Sequence, residues 1–367
     1  MFKRLFPLFS IAAVLVLGGA GCIQMGASSA GPMGIFRSGD KGETWAPAVA
    51  MPTVKGVMSL SGLKVYRLFE DPSDVNAIYL GTRGQGLYYT YDNGDSWRSV
   101  SFMANKFIYA LAVDPKDKCT IYVSDGQHIF KTLDCTRTWG IVYTEERPDQ
   151  RVVSISIAKD DKGSVYAAVL GGDILKSEDA GRSWRAVKRF GFTLQQVSAD
   201  PNTPAKIYVA AHRNGLYRSE NSGTDWTELN EGFKNYSESQ NFYRLILNPG
   251  KKDSLFWISK YGIIRSDDSG ASWTDLKLIT PPGSVNIYGF AINPKNQNEM
   301  YYTGTILGEK NSHIRSTFYK SVDGGRNWVT KKMPTNTIPA VMRIHPENTG
   351  MVFLGFTALE PNTQISF

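Results

Sequence analysis

The stretch Tyr66-RLFEDPSDVNAIYLGTRGQGLYYTYDNGDS-Trp97 decides the fold. It opens on a short apolar and aromatic run that ends at Asp71-Pro72. A polar turn follows, then a second β-rich run from Ala77 to Thr82. Gly84 and Gly86 mark a loop, and Leu87 to Thr90 form a third run. Tyr91 to Ser96 carry turn chemistry, and Trp97 opens a fourth run. β-rich runs bounded by Gly, Pro, Asn and Asp read as strands joined by turns. The unit is therefore strand A, turn, strand B, loop, strand C, tight hairpin, strand D: a four-stranded antiparallel meander.

The C–D hairpin recurs seven times as a box, Ser/Thr-x-Asp-x-Gly-x-x-Trp. Its anchor pairs are Asp40 and Trp45, Asp92 and Trp97, Asp134 and Trp139, Asp179 and Trp184, Asn221 and Trp226, Asp268 and Trp273, and Asp323 and Trp328. The tryptophans stand 42 to 55 residues apart, a period typical of propeller blades. The chemistry fits a tight turn. Asp and Ser/Thr oxygens accept backbone N–H groups, Gly supplies positive φ, and Trp buries a large apolar surface. Two boxes depart from the pattern: Asn221 replaces Asp in the fifth and Thr136 replaces Gly in the third.

The chain ends set the count. Residues 33–50 hold only a strand C, a box and a strand D, and residues 340–356 hold only strands A and B. Together they complete one blade beside six whole ones. The expected fold is all-β: a single seven-bladed β-propeller of four-stranded antiparallel blades, closed by pairing the N-terminal C/D strands with the C-terminal A/B strands. Such closure removes exposed sheet edges.

Composition agrees. With 42% apolar and 20% charged residues, the chain is too apolar for disorder. Eighteen Tyr, 18 Phe and 35 Gly favour strands and turns over helices. No Walker, dinucleotide or zinc-protease motif occurs. His128, His212, His313 and His345 stand singly, so no metal and no cofactor is expected. A formal charge of +7 without a dense basic block argues against nucleic acid as a partner.

Met1 to Arg4 is a short basic start, Leu5 to Leu17 is mostly apolar, and Gly18-Gly-Ala-Gly-Cys22 follows. That order reads as a secretory signal. The small residues before Cys22 resemble the bacterial lipobox, although Gly19 stands where that motif usually has Leu. The resemblance implies cleavage before Cys22 and a lipid on it. The expected organisation is a lipoprotein-type signal peptide over 1–21, a flexible tether over 22–32 and the propeller over 33–367. The expected product is an exported, monomeric, membrane-anchored lipoprotein on a periplasmic or extracellular face. Export also suits a disulfide between Cys119 and Cys135, which the turn near Gly126 sets roughly opposite one another.

Over residues 33–356 the boxes resemble the Asp-box, or bacterial neuraminidase, repeat of a β-propeller family. Its members include sialidases, xyloglucanase-type glycosidases, sortilin-type receptors and the photosystem II assembly factor. The wording of the repeats is similar to the sortilin and xyloglucanase style. Seven blades behind a lipoprotein signal are more similar to the assembly factor. The resemblance implies that the box residues are structural and lie away from the ligand face.

In a meander blade the B–C and D–A loops share the other face, where propellers usually bind. Arg67, Arg83, Arg213, Arg244 and Lys260 are expected to ring it, with Tyr261 and the strand-A residues Tyr66, Tyr109, Tyr243 and Tyr288. Basic groups with tyrosines suit acidic peptides or carboxylated sugars. Glycoside hydrolysis usually needs two placed carboxylates. Glu145, Glu146 and Glu309 are loop carboxylates that nothing in the sequence singles out. The expectation is therefore a non-catalytic protein-binding scaffold or assembly factor, not an enzyme. The alternative is a carbohydrate-binding protein or a sialidase- or xyloglucanase-like glycoside hydrolase acting on extracellular or wall polysaccharide.

Overall fold

The structure, a computed structural model, describes residues 31–360. The signal peptide, Cys22 and all but the last two residues of the tether lie outside the described residues. Seven four-stranded antiparallel sheets form the propeller. Blade 1 comprises Val65–Asp71, Asp74–Thr82, Leu87–Thr90 and Arg98–Ser99. Blades 2 to 6 follow over 110–144, 152–189, 194–228, 242–275 and 286–331. Blade 7 joins the two chain ends. Gly34–Ser38 pairs with Val352–Thr357, so that Ile35 faces Gly355 and Ser38 faces Val352.

The core lies between blades. Ile78, Leu80 and Trp97 of blade 1 pack with Ile35, Val341 and Phe353 of blade 7. Tyr208 and Leu216 of blade 4 pack with Trp257 and Ile264 of blade 5. Strands sandwiched in this way are buried on both faces, which is why Ile207–Ala211 and Val165–Val169 read as unbroken apolar runs.

Each box is a hydrogen-bonded turn. In the fourth, Ser177 Oγ donates to Asp179 Oδ1 at 2.8 Å and accepts the Gly181 N–H at 2.7 Å. Asp179 Oδ1 accepts the Ser183 N–H at 2.9 Å, and Oδ2 accepts the Ser183 hydroxyl at 2.6 Å. The position before Trp, left open in the pattern, is thus a partner of the Asp. It is Thr44, Ser96, Thr138, Ser183, Asp225, Ser272 or Asn327. Asn221 keeps the arrangement, accepting the Asp225 N–H and donating its amide to Asp225 Oδ2, both at 2.8 Å. Hydrogen bonds from Thr44, Thr138, Ser183 and Asn327 hold the carboxyls of Asp40, Asp134, Asp179 and Asp323 down to about 2.

The turn needs two successive left-handed residues, as at Ala180 (φ 58°) and Gly181 (φ 88°). In the third box these are Cys135 (φ 55°) and Thr136 (φ 75°). A branched side chain resists that conformation. The Cys119–Cys135 disulfide ties this box to strand B of blade 2.

One element belongs to no blade. Between blades 7 and 1, Ala50–Thr53 and Gly56–Ser59 pair as a separate two-stranded hairpin, where the sequence reads as a D–A connection.

Candidate functional site

The innermost strands line an axial channel. Its hollow, about 240 Å³, is bordered by Arg67, Phe69, Ser154, Gln196, Ser198 and Arg244 among others, and by no carboxylate. The strand pleat explains the selection, since alternate residues of a strand face one side. Most of the polar lining is spent on joining blades. Ser154 Oγ accepts the Val197 N–H at 3.1 Å, and the Gln196 amide bridges to Leu245. The two arginines are not used in this way. Arg67 Nε is buried without a hydrogen-bond partner. Arg244 reaches only the Ala340 carbonyl, at 3.4 Å. Burial, with repulsion from Arg67, pushes the Arg244 guanidinium down to about 10.

Aromatic residues surround the mouth. The Arg67 and Arg83 guanidinium carbons lie 5.1 and 4.9 Å from the Tyr66 ring centre. Tyr66, Phe107 and Tyr109 pack together, with centroids 4.2 to 6.4 Å apart. Tyr243 and Tyr288 pack edge-on at 5.6 Å, and the Tyr243 hydroxyl donates to Asn286 Oδ1 at 2.8 Å. Burial lowers the Arg83 pKa and raises those of Tyr243 and Tyr288. Cations above ring faces gain from the ring quadrupole.

Of the residues expected on this face, Arg67, Arg83 and Arg244 come together with Tyr66. Lys260 stands at the edge, 3.4 Å from Asn286 Oδ1. Arg213 is separate and borders a hollow with Phe233, Lys234 and Tyr236. Tyr261 packs on Tyr236 at 5.1 Å and faces a third hollow with Asp275 and Lys277. Phe107 is an aromatic member that sequence reasoning missed. It sits in the D–A connection just before strand A of blade 2, and no repeat feature marks it.

The loop carboxylates have other roles or none. Glu145 is buried and held by Arg147 through both oxygens, at 2.7 and 2.9 Å. Arg147 also reaches Asp173 at 2.8 Å. Glu146 and Glu309 are exposed. A groove of about 400 Å³ with charges of both signs lies elsewhere, between blades 5 and 6. Asp267, Asp268, Asp275, Arg265, Lys277 and Arg326 border it. Asp267 is paired with Arg265 at 2.9 Å and Asp275 with Lys277 at 2.8 Å.

The comparisons with known proteins fall into two groups. A xyloglucanase of Paenibacillus sp is 26% identical over 245 residues, covering 53% of this chain and 23% of that protein. A probable oligoxyloglucan-reducing end-specific xyloglucanase of Neosartorya fischeri is 24% identical over 247 residues, covering 53% and 29%. The chain thus spans about a quarter of the length of these relatives. Among solved structures, the Niastella koreensis GH74 enzyme superposes with a TM-score of 0.63 at 16% identity, over 80% of this chain and 51% of that one. YCF48 bound to D1 peptide gives 0.58 at 18% identity, over 84% and 96%. Likeness at that identity shows the fold alone.

The curated relatives correct the expectation that the chain is not an enzyme, because they are themselves glycosidases. That expectation rested on the absence of a placed carboxylate pair among the loop residues Glu145, Glu146 and Glu309. The model of the DUF6242 beta propeller domain matches residues 101–358, and the chain belongs to that family.

Proposed function

We propose that the chain is an exported propeller, held to a membrane through Cys22, that binds a protein partner by a carboxylate-bearing segment. The segment docks at the mouth formed by Arg67, Arg83 and Arg244 with Tyr66, Phe107 and Tyr109. One observation carries this reading: Arg67 and Arg244 share the axial channel, and no carboxylate borders it. A buried charge without a counter-ion costs stability unless a ligand supplies one. Carboxylates suit guanidinium forks, which bind them bidentately. Partner binding is consistent with the peptide-bound YCF48, which covers nearly its whole length in the superposition.

In-cell crosslinking followed by mass spectrometry tests it. A single reproducible partner, lost when Arg67 and Arg244 are changed to Glu, is expected. Equal capture by both proteins contradicts it.

A second reading, action on a xyloglucan-type glycan, is favoured by the relatives and by the groove between blades 5 and 6, where Asp267 and Asp275 stand on one hollow. Xyloglucan hydrolysis lost in both Asp267→Asn and Asp275→Asn is its signature.

A further inference from the structure

The hairpin Ala50–Ser59 has no role in the propeller core beyond its base. At that base, the Trp97 N–H donates to the Ala50 carbonyl at 2.9 Å, and the Leu60 N–H to Val49 at 2.8 Å. Its tip projects free. Val54 is fully exposed, Val57 is 72% and Met58 56% exposed. Thr53 faces Gly56 in the register, so Val54 and Lys55 are the turn itself. Gly56, at φ 118°, supplies the positive φ just after the turn while Val54 and Lys55 keep ordinary φ, so the turn does not explain an apolar residue that is left fully exposed.

We propose that this hairpin is a membrane-contacting finger whose Val54, Val57 and Met58 enter the interface of an anionic bilayer. Three observations select lipid over another occupant. The hairpin Ala50–Ser59 contains no Asp or Glu and carries Lys55 at its tip beside Val54, a sign of charge that suits anionic headgroups. Pro52 interrupts the outer edge of the hairpin, which disfavours strand addition by a protein partner. The chain also enters the propeller at the foot of the finger. The Met33 N–H donates to Ser61 at 2.9 Å and Gly34 to Leu63 at 3.2 Å. Ten residues lie between Cys22 and Met33, a reach of at most about 40 Å. The choice of lipid rests on the reading of Cys22 as lipid-bearing.

The test uses the full chain with Cys22→Ser, so that no acyl chain binds. Vesicles of equal parts phosphatidylcholine and phosphatidylglycerol are the probe. An environment-sensitive dye is placed at Val54→Cys or, on the opposite face, at Val322→Cys. The dye at position 54 is expected to brighten at least about threefold with a blue shift, while the dye at 322 stays unchanged. The triple change Val54→Ser, Val57→Ser, Met58→Ser is expected to lower vesicle co-sedimentation at least about fivefold with unaltered circular dichroism. A flat response at 54, or equal responses at both sites, overturns the proposal. Protection of position 54 by a protein partner but not by vesicles overturns it too, and makes the finger a protein contact. Palmitate labelling of the natural chain reports on Cys22 separately, so failure of the anchor reading is distinguishable from failure of the finger.

Discussion

The guanidinium carbon of Arg83 lies 4.9 Å from the centre of the Tyr66 ring, and Arg67 approaches the same ring at 5.1 Å. One aromatic ring thus supports two cations that repel one another. That repulsion and the burial of Arg244 have a cost in the protein that can be measured.

Arg244→Met is expected to stabilise the free protein by about 1 to 2 kcal/mol, because an apolar side chain replaces a buried charge without a counter-ion. Urea unfolding checks this. Destabilisation would mean that the bond to Ala340 outweighs the desolvation of the charge.

The third box should be the most sensitive to redox conditions. The Cys119–Cys135 bond closes a loop of 16 residues, so changing both cysteines to Ser is expected to cost about 3 kcal/mol. Thr136→Gly in the natural chain should add about 1 kcal/mol by relieving the left-handed branched residue. Denaturant midpoints of the two variants read both effects.

The box carboxyls make the fold acid-sensitive at unusually low pH. Asp40, Asp134, Asp179 and Asp323 sit near 2 when folded, against about 3.9 in an unfolded chain. A depressed folded value gives stability that is present above the unfolded value and lost as pH falls through the folded one. The melting temperature should therefore hold down to about pH 4 and fall steeply towards pH 2. Asp179→Asn should shrink that slope.

The seven box tryptophans are not equivalent. Trp97 is fully buried, and its Nε1 donates to the Ala48 carbonyl of the neighbouring blade at 2.8 Å. Trp45 Nε1 has no partner. Trp97→Phe is expected to cost about 2 kcal/mol, since it strands a buried carbonyl, and Trp45→Phe less than about 1 kcal/mol. Equal costs would mean that packing alone sets the role of the box Trp.

The fold was legible because its signals repeat. Seven Trp positions set the blade count, and the half-blades at 33–50 and 340–356 announced the closure that Ile35 and Gly355 make. Arg67 and Arg244, on first strands, and Arg83, in a B–C loop, were placed on one face by the meander topology alone. What escaped reading depends on side-chain partners across loops. Arg213 and Tyr261 share a face with the mouth, yet intervening D–A loops set them in separate hollows. Glu145 looks like a free loop carboxylate until Arg147, two residues on, takes both oxygens. The finger was invisible because its apolar residues face solvent, against the pattern that marks strands.

The central claim is that the mouth binds carboxylates. Calorimetric titration of the full-length chain carrying Cys22→Ser tests it most directly, with a Glu-rich peptide and its Gln counterpart as probes. The Glu peptide is expected to bind, with affinity falling at least about tenfold, or 1.4 kcal/mol, in Arg67→Gln with Arg244→Gln. The Gln peptide should not bind. Equal affinity for the two peptides, or for the natural and doubly changed proteins, would contradict it.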